Sequence, residues 1–153
     1  MASNLYDASA RTSVVAIGGA LIQLVPPIGA QGTARNVRLR EVAISNTTAT
    51  AFGVGLGIAT VAAVTPATAV TIARRNNGLD PSPISLVWTT FATTPTAPTG
   101  FNKRLWIPAS SLVIYSFNEG EELLILPNTT PLPFCVFNTG TGQIADISLT
   151  WSE

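Results

Sequence analysis

The chain contains no histidine and a single cysteine, Cys135, among its 153 residues. Nucleophilic triads and most zinc sites draw on histidine, and a cysteine-only metal site needs several thiolates. Both kinds of chemistry therefore lack their usual parts. Cys135 sits between apolar neighbours in LPFCVF and reads as a small buried hydrophobe, not a reactive thiol. A lone cysteine also leaves no intrachain disulfide and no secretory framework.

Charge is scarce as well. Asp, Glu, Lys and Arg make up 10% of the chain, against about 25% in ordinary soluble domains. The eight basic and eight acidic residues cancel, so no phosphate-neutralising face and no nucleic-acid partner are expected. The one acidic cluster, Glu119, Glu121 and Glu122, lacks the spaced oxygen ligands of a calcium loop and reads as a solvated turn. Lys103 and Arg104 beside Trp106 read as an ordinary strand edge. No catalytic residue, metal or other cofactor is expected, and the chain is taken to be non-enzymatic. So little charge makes a poor surface for a free monomer. Either other subunits cover much of it, or Thr, Ser and Asn solvate it.

The N-terminal MASNLYDASARTS shows neither the basic nor the apolar region of an export signal, so synthesis in the cytoplasm is expected. The Asn-Thr-Thr triplets at 46–48 and 128–130 are then chance matches to the glycosylation pattern. Sustained helical periodicity is missing too, and no coiled-coil or collagen-like stretch supplies a stalk.

What is present is β patterning. Short β-branched and aromatic runs alternate with turn clusters such as Pro26-Pro27-Ile28-Gly29, Asn76-Asn77-Gly78 and Asn118-Glu119-Gly120. Strands are predicted at 13–17, 20–25, 37–45, 51–60, 68–74, 84–91, 103–107, 111–117, 121–126, 133–138 and 143–151. In IADISLTW, Ala145, Ile147, Leu149 and Trp151 share one face and polar residues the other. In VRLREVAI the apolar positions change parity, which a β-bulge near Glu41 reconciles. LVIYSF (112–117) and ELLIL (122–126) are apolar on both parities, as in mid-sandwich or interface strands.

The run Ala51–Ala73 carries no charge over 23 residues. Ten of them are Val, Ile or Thr and one is Pro66, which disfavours a membrane helix, so no membrane partner is expected. Gly53, Gly55 and Gly57 form GxGxG, not the GxGxxG of a phosphate loop. At period 2, Phe52, Val54, Leu56 and Ile58 face one way and the glycines the other. Such a bare face needs cover, from the chain's own Trp88, Trp106 or Trp151 or from a neighbouring subunit. A hairpin over 51–74 is predicted. The stretch 89–103 reads as a long surface loop anchored by Phe91 and Phe101.

Together these features predict an all-β chain: a single-domain antiparallel β-sandwich or jelly-roll-like barrel over 13–153, preceded by an N-terminal arm over 1–12. Candidate assembly contacts are Leu5, Tyr6 and Arg11 on the arm, with Phe91 and Phe101 on the loop. Deleting 1–12 is expected to weaken assembly while leaving the domain folded. Three function classes fit: a self-assembling or lattice-bound structural subunit, a carbohydrate-binding sandwich with exposed aromatic platforms, and a receptor-binding fibre head.

The succession RNVRLREVAISNTTATAFGVGLGIATVAAVTPATAVTIA, with the terminal GTGQIADISLTWSE, resembles small virion proteins of tailed bacteriophages. The likeness spans about residues 35–75 and 140–153, and rests on an R-x-R-E-V strand, an alternating apolar hairpin and a closing G-T-G-Q…W-x-E strand. It is similar to the capsid cement, or decoration, type. That resemblance implies a sandwich or jelly roll, often a homotrimer, seated on the capsid exterior against major capsid protein after assembly in the host cytoplasm. Others of these proteins belong to tails. The shared residues are fold determinants, so no site residue transfers.

Overall fold

The alternation in the last predicted strand sets the architecture. A computed structural model describes residues 4–30, 35–61, 66–75, 81–91 and 93–153. Twelve strands lie among them: β1 Leu5–Arg11, β2 Ala20–Val25, β3 Val37–Asn46, β4 Phe52–Ile58, β5 Pro66–Ala69, β6 Ile72–Arg74, β7 Leu86–Phe91, β8 Lys103–Ile107, β9 Leu112–Ser116, β10 Leu123–Ile125, β11 Phe134–Asn138 and β12 Ala145–Ser152. They form two antiparallel six-stranded sheets, as the expected sandwich requires. The first runs β10-β3-β12-β1-β6, with β9 also on β3; the second runs β5-β7-β2-β11-β4-β8.

Ala145, Ile147, Leu149 and Trp151 all point into the space between the sheets and are fully buried. β3 joins them through the expected bulge. Thr150 pairs with Glu41 and Trp151 with Leu39, leaving Arg40 as the extra residue. Val37, Leu39, Val42 and Ile44 are thereby all buried despite their change of parity. The second sheet answers with Ile22, Leu24, Phe52, Val54, Leu56, Phe134 and Val136.

Three expectations are corrected. Residues 13–17 form no strand. They belong to a connector that crosses from β1 to β2, with Gly18 at φ +80° and the side-chain amide of Asn138 donating to the Val15 carbonyl at 2.9 Å. The hairpin over 51–74 does not form: β4 pairs with β11 and β8, β5 with β7, and β6 with β1 in the other sheet. An uncharged run suits both sheets, and its pairing is decided by distant partners. The turn expected at 76–78 lies outside the described residues.

The third correction concerns the arm. Leu5–Arg11 is strand β1, paired along its whole length with β12 and on its other side with β6. Tyr6 and Ala8 enter the core, and the Tyr6 ring stacks on Trp151 with centroids 6.0 Å apart. The Tyr6 hydroxyl donates to the Pro81 carbonyl at 3.0 Å. Alternation of Tyr6 and Ala8 with Asp7 and Ser9 is a half-buried strand pattern. Alanine's small side chain makes it easy to overlook.

The bare glycine face is covered from within the chain. A Cβ on Gly55 would fall 2.5 Å from the Phe101 ring, one on Gly57 3.1 Å from Pro98, and one on Gly53 2.7 Å from the Thr139 hydroxyl and 3.8 Å from Trp106. The 93–102 segment thus lies against the outer surface of the second sheet. It is tied down by the Ala20 N–H donating to Thr94 Oγ1 at 2.7 Å and the Asn102 N–H donating to the Leu56 carbonyl at 2.9 Å. Beneath it a second apolar cluster gathers Ala20, Ala59, Cys135 and Phe137, with Phe91 and Phe101 packed on top. Phe91 and Phe101 anchor the loop as expected. Of the three tryptophans proposed to cover the face, only Trp106 reaches it.

Candidate functional site, an open apolar sheet edge

β9 and β10 lie end to end along one edge of β3, because β10 pairs with Val37–Leu39 and β9 with Glu41–Ser45. The chain leaves the edge between them at residues 117–122, opposite the Arg40 bulge. This excursion is a tight polar turn. Gly120 has φ +87°, the Asn118 amide donates to Glu121 Oε2 at 2.7 Å, and the Gly120 N–H donates to Glu122 Oε2 at 2.9 Å. Backbone hydrogen bonds, foremost that of its own N–H, hold the Glu122 carboxyl below its ordinary range; partial desolvation opposes them, and Arg40 and Arg38 assist.

The two-sided apolar pattern of LVIYSF now resolves. Val113, Tyr115 and Phe117 turn inward and pack on the core, Tyr115 and Phe117 edge-on at 5.0 Å. Leu112 and Ile114 turn outward, 59% and 55% exposed. On β10, Ile125 is buried while Leu124 faces out, and Leu126 follows it to the surface. Leu124, Leu126, Ile58 and Leu132 line a shallow apolar hollow of ≈ 260 Å³ at the end of this edge. Both mid-sandwich and interface positions suit such a pattern in sequence, and the topology places β9 and β10 at the rim.

Beside β9, in the other sheet, stands the edge strand β8. Its cations part company: Lys103 sits 5.5 Å above the Tyr115 ring, and Arg104 5.0 Å from the Phe101 ring. Trp106 is 67% exposed, lying near Gly53 on the outer face. The β8–β9 connection is held by buried Asn46, whose amide donates to the carbonyls of Thr50 and Pro108 at 2.9 and 3.0 Å and accepts from the Thr48 N–H at 2.9 Å. Asn46 is therefore committed to the fold. Asn128 instead is exposed, at an isolated bridge to Ile28.

No protein-family model, curated protein or solved structure matches this chain.

The five expected contact residues do not form one patch. Tyr6 is fully buried in the core, which corrects its assignment as an assembly contact. Arg11 is exposed and paired with Asp146 at 3.1 Å, while Leu5 is half-buried on the outer side of β1. Phe91 and Phe101 belong to the second sheet's outer cluster. The residues missed were Leu112, Ile114, Leu124 and Leu126. Their signal was present in the two-sided apolar strands, but sequence alone did not say which parity faced out.

Among the described residues, no group of three or more His, Cys, Asp and Glu could hold a metal ion, and no helix is long and apolar enough to cross a membrane. Cys135 is fully buried, and desolvation pushes its thiol well above the ordinary range. That setting suits packing, not nucleophilic attack.

Proposed function

We propose that this chain is a non-enzymatic structural subunit of a bacteriophage particle, of the capsid cement type. In this reading it clamps neighbouring major capsid subunits from the outside and stabilises the head. The observation that carries the proposal is the concentration of exposed apolar side chains on one sheet edge, Leu112, Ile114, Leu124 and Leu126, in a chain otherwise poor in surface charge. Exposed apolar patches in soluble proteins mark contact surfaces. The N-terminal strand, unlike the expected arm, is built into the sheet between β12 and β6 and leaves the contacts to edges and loops.

Topology adds a fold-level analogy. Setting aside β5, β6 and β7 and taking β9/β10 as one strand, the chain changes sheet at every connection except β4 to β8, which pair within the second sheet, giving β1-β12-β3-β9/β10 against β2-β11-β4-β8. We read that frame as a jelly roll, with β5–β7 extending it between β4 and β8. Viral capsid and lectin domains share this architecture, so the analogy raises both readings without choosing between them.

Reconstitution tests the proposal. Purified chain added to heads that lack it is expected to bind saturably and raise the temperature at which they release their genome. Absence of both effects would sink the cement reading. One observation favours a second reading: Trp106, exposed over Gly53 beside Thr139, has the form of a stacking platform for a sugar ring. Glycan binding lost in Trp106→Ala, with no binding to heads, would move the protein to a tail- or fibre-borne carbohydrate-recognition role.

A further inference from the structure

We infer that β9 pairs with β9 of a second copy across a two-fold axis through Ile114, making one continuous sheet from two subunits. The inference rests on the reading of this chain as an assembling subunit and specifies which edge does it.

Exposed strands invite pairing, and proteins blunt them with charge, proline, bulges or short length. Every other free edge among the described strands carries such a device. β5 begins at Pro66, and β6 is a three-residue strand that ends at Arg74 and is followed by Arg75. β8 holds Lys103 and Arg104 and exits through Pro108. β10 has three residues, preceded by Glu121-Glu122 and followed at one remove by Pro127. Among the described edges, β9 alone has none: no charge occurs between Arg104 and Glu119, and no proline between 109 and 126.

Hydrogen-bond parity then limits the register, and full overlap of β9 with its copy selects one. The Asn46 N–H donates to the Ser111 carbonyl and the Phe117 N–H to the Arg40 carbonyl, both at 2.8 Å. Residues 111, 113, 115 and 117 therefore turn their main-chain groups toward β3, while Leu112, Ile114 and Ser116 turn theirs away from the sheet. With Ile114 on the axis, Leu112 meets Ser116 of the second copy, Ile114 meets Ile114, and Ser116 meets Leu112. Every outward group finds an outward partner, and each pair exchanges both main-chain bonds. Ile114 packs on its own copy, and no like charges oppose each other in the strand. An isologous contact of this kind closes at two subunits, in place of the trimer implied by the resemblance.

Light scattering on the full chain across a hundredfold concentration range is expected to approach twice 15.9 kDa, about 32 kDa. Ile114→Lys sets two cations face to face on the axis and should return the mass to the monomer. The side chain is already half exposed, so far-UV dichroism should be unchanged. Ile114→Cys supplies a positive test. Cα atoms of a hydrogen-bonded antiparallel pair lie about 5.5 Å apart, within disulfide reach, so oxidation of this variant should give a covalent dimer. The buried Cys135 should leave wild-type chain uncrosslinked. A monomer or trimer at all concentrations would overturn the inference. So would a dimer that is untouched by Ile114→Lys and fails to crosslink in the Ile114→Cys variant. Binding of a monomeric chain to heads would leave the cement reading standing without the dimer; a β9 dimer that ignores heads would do the reverse.

Discussion

Removing residues 1–11 is expected to abolish cooperative folding of the domain. The segment is a strand with a neighbour on each side, so its loss strips the ladder from β12 and leaves β6 unpaired. It also withdraws Tyr6 and Ala8 from the core and bares the ring of Trp151 that Tyr6 covers. Truncating one large buried aromatic costs about 3–5 kcal/mol, against a total stability of about 5–15 kcal/mol for a domain. Loss of the ladder and the Asp7–Arg75 and Arg11–Asp146 pairs comes in addition, though the exposed pairs contribute little. Urea titration of the truncated chain, followed by near-ultraviolet dichroism, should show no sigmoidal transition. A truncated protein with the full-length midpoint would restore the arm and contradict the placement of β1.

Gly55→Val is expected to destabilise the protein by about 1–3 kcal/mol, the usual range for overpacking. The sign is what makes this informative. In an open strand, replacing glycine by a β-branched residue restricts the unfolded chain and favours the extended state, so stability rises by some tenths to about 1 kcal/mol. Here even the first added carbon meets the Phe101 ring at 2.5 Å. The ring must leave, and with it the loop that covers Phe137 and Cys135. Gly55→Ala combined with Phe101→Ala should cost less than the sum of the two single changes, because both disturb one contact. Denaturant midpoints measure each quantity. A stabilising Gly55→Val would show that the loop does not rest on this face.

The sequence made local alternation readable and left partners obscure. Ala145 to Trp151 announced both a strand and its buried face, and the change of parity between Leu39 and Val42 announced the bulge. β1 escaped because two of its three inward-phase residues, Ala8 and Ala10, are too small to mark a face. The GxGxG series said that something must lie close to the backbone; only the fold could say that it is Phe101, 46 positions along the chain from Gly55. The run 51–73 suggested a hairpin because its residues suit strands, yet pairing in a sandwich is settled by contacts distant in sequence. The same gap hid the candidate surface: two apolar parities in β9 fit a core or a rim equally well, and the position of β3's other neighbours decides.

The claim that matters most is that this chain is a stoichiometric part of a particle exterior. Quantitative mass spectrometry of purified particles, with an image of their heads at a resolution that shows surface protrusions, tests it most directly. The expected result is a copy number in fixed ratio to the major capsid protein, and density over the junctions between capsid subunits that is lost when the chain is absent. Particles of normal composition without this chain, or density for it on the tail alone, would contradict it.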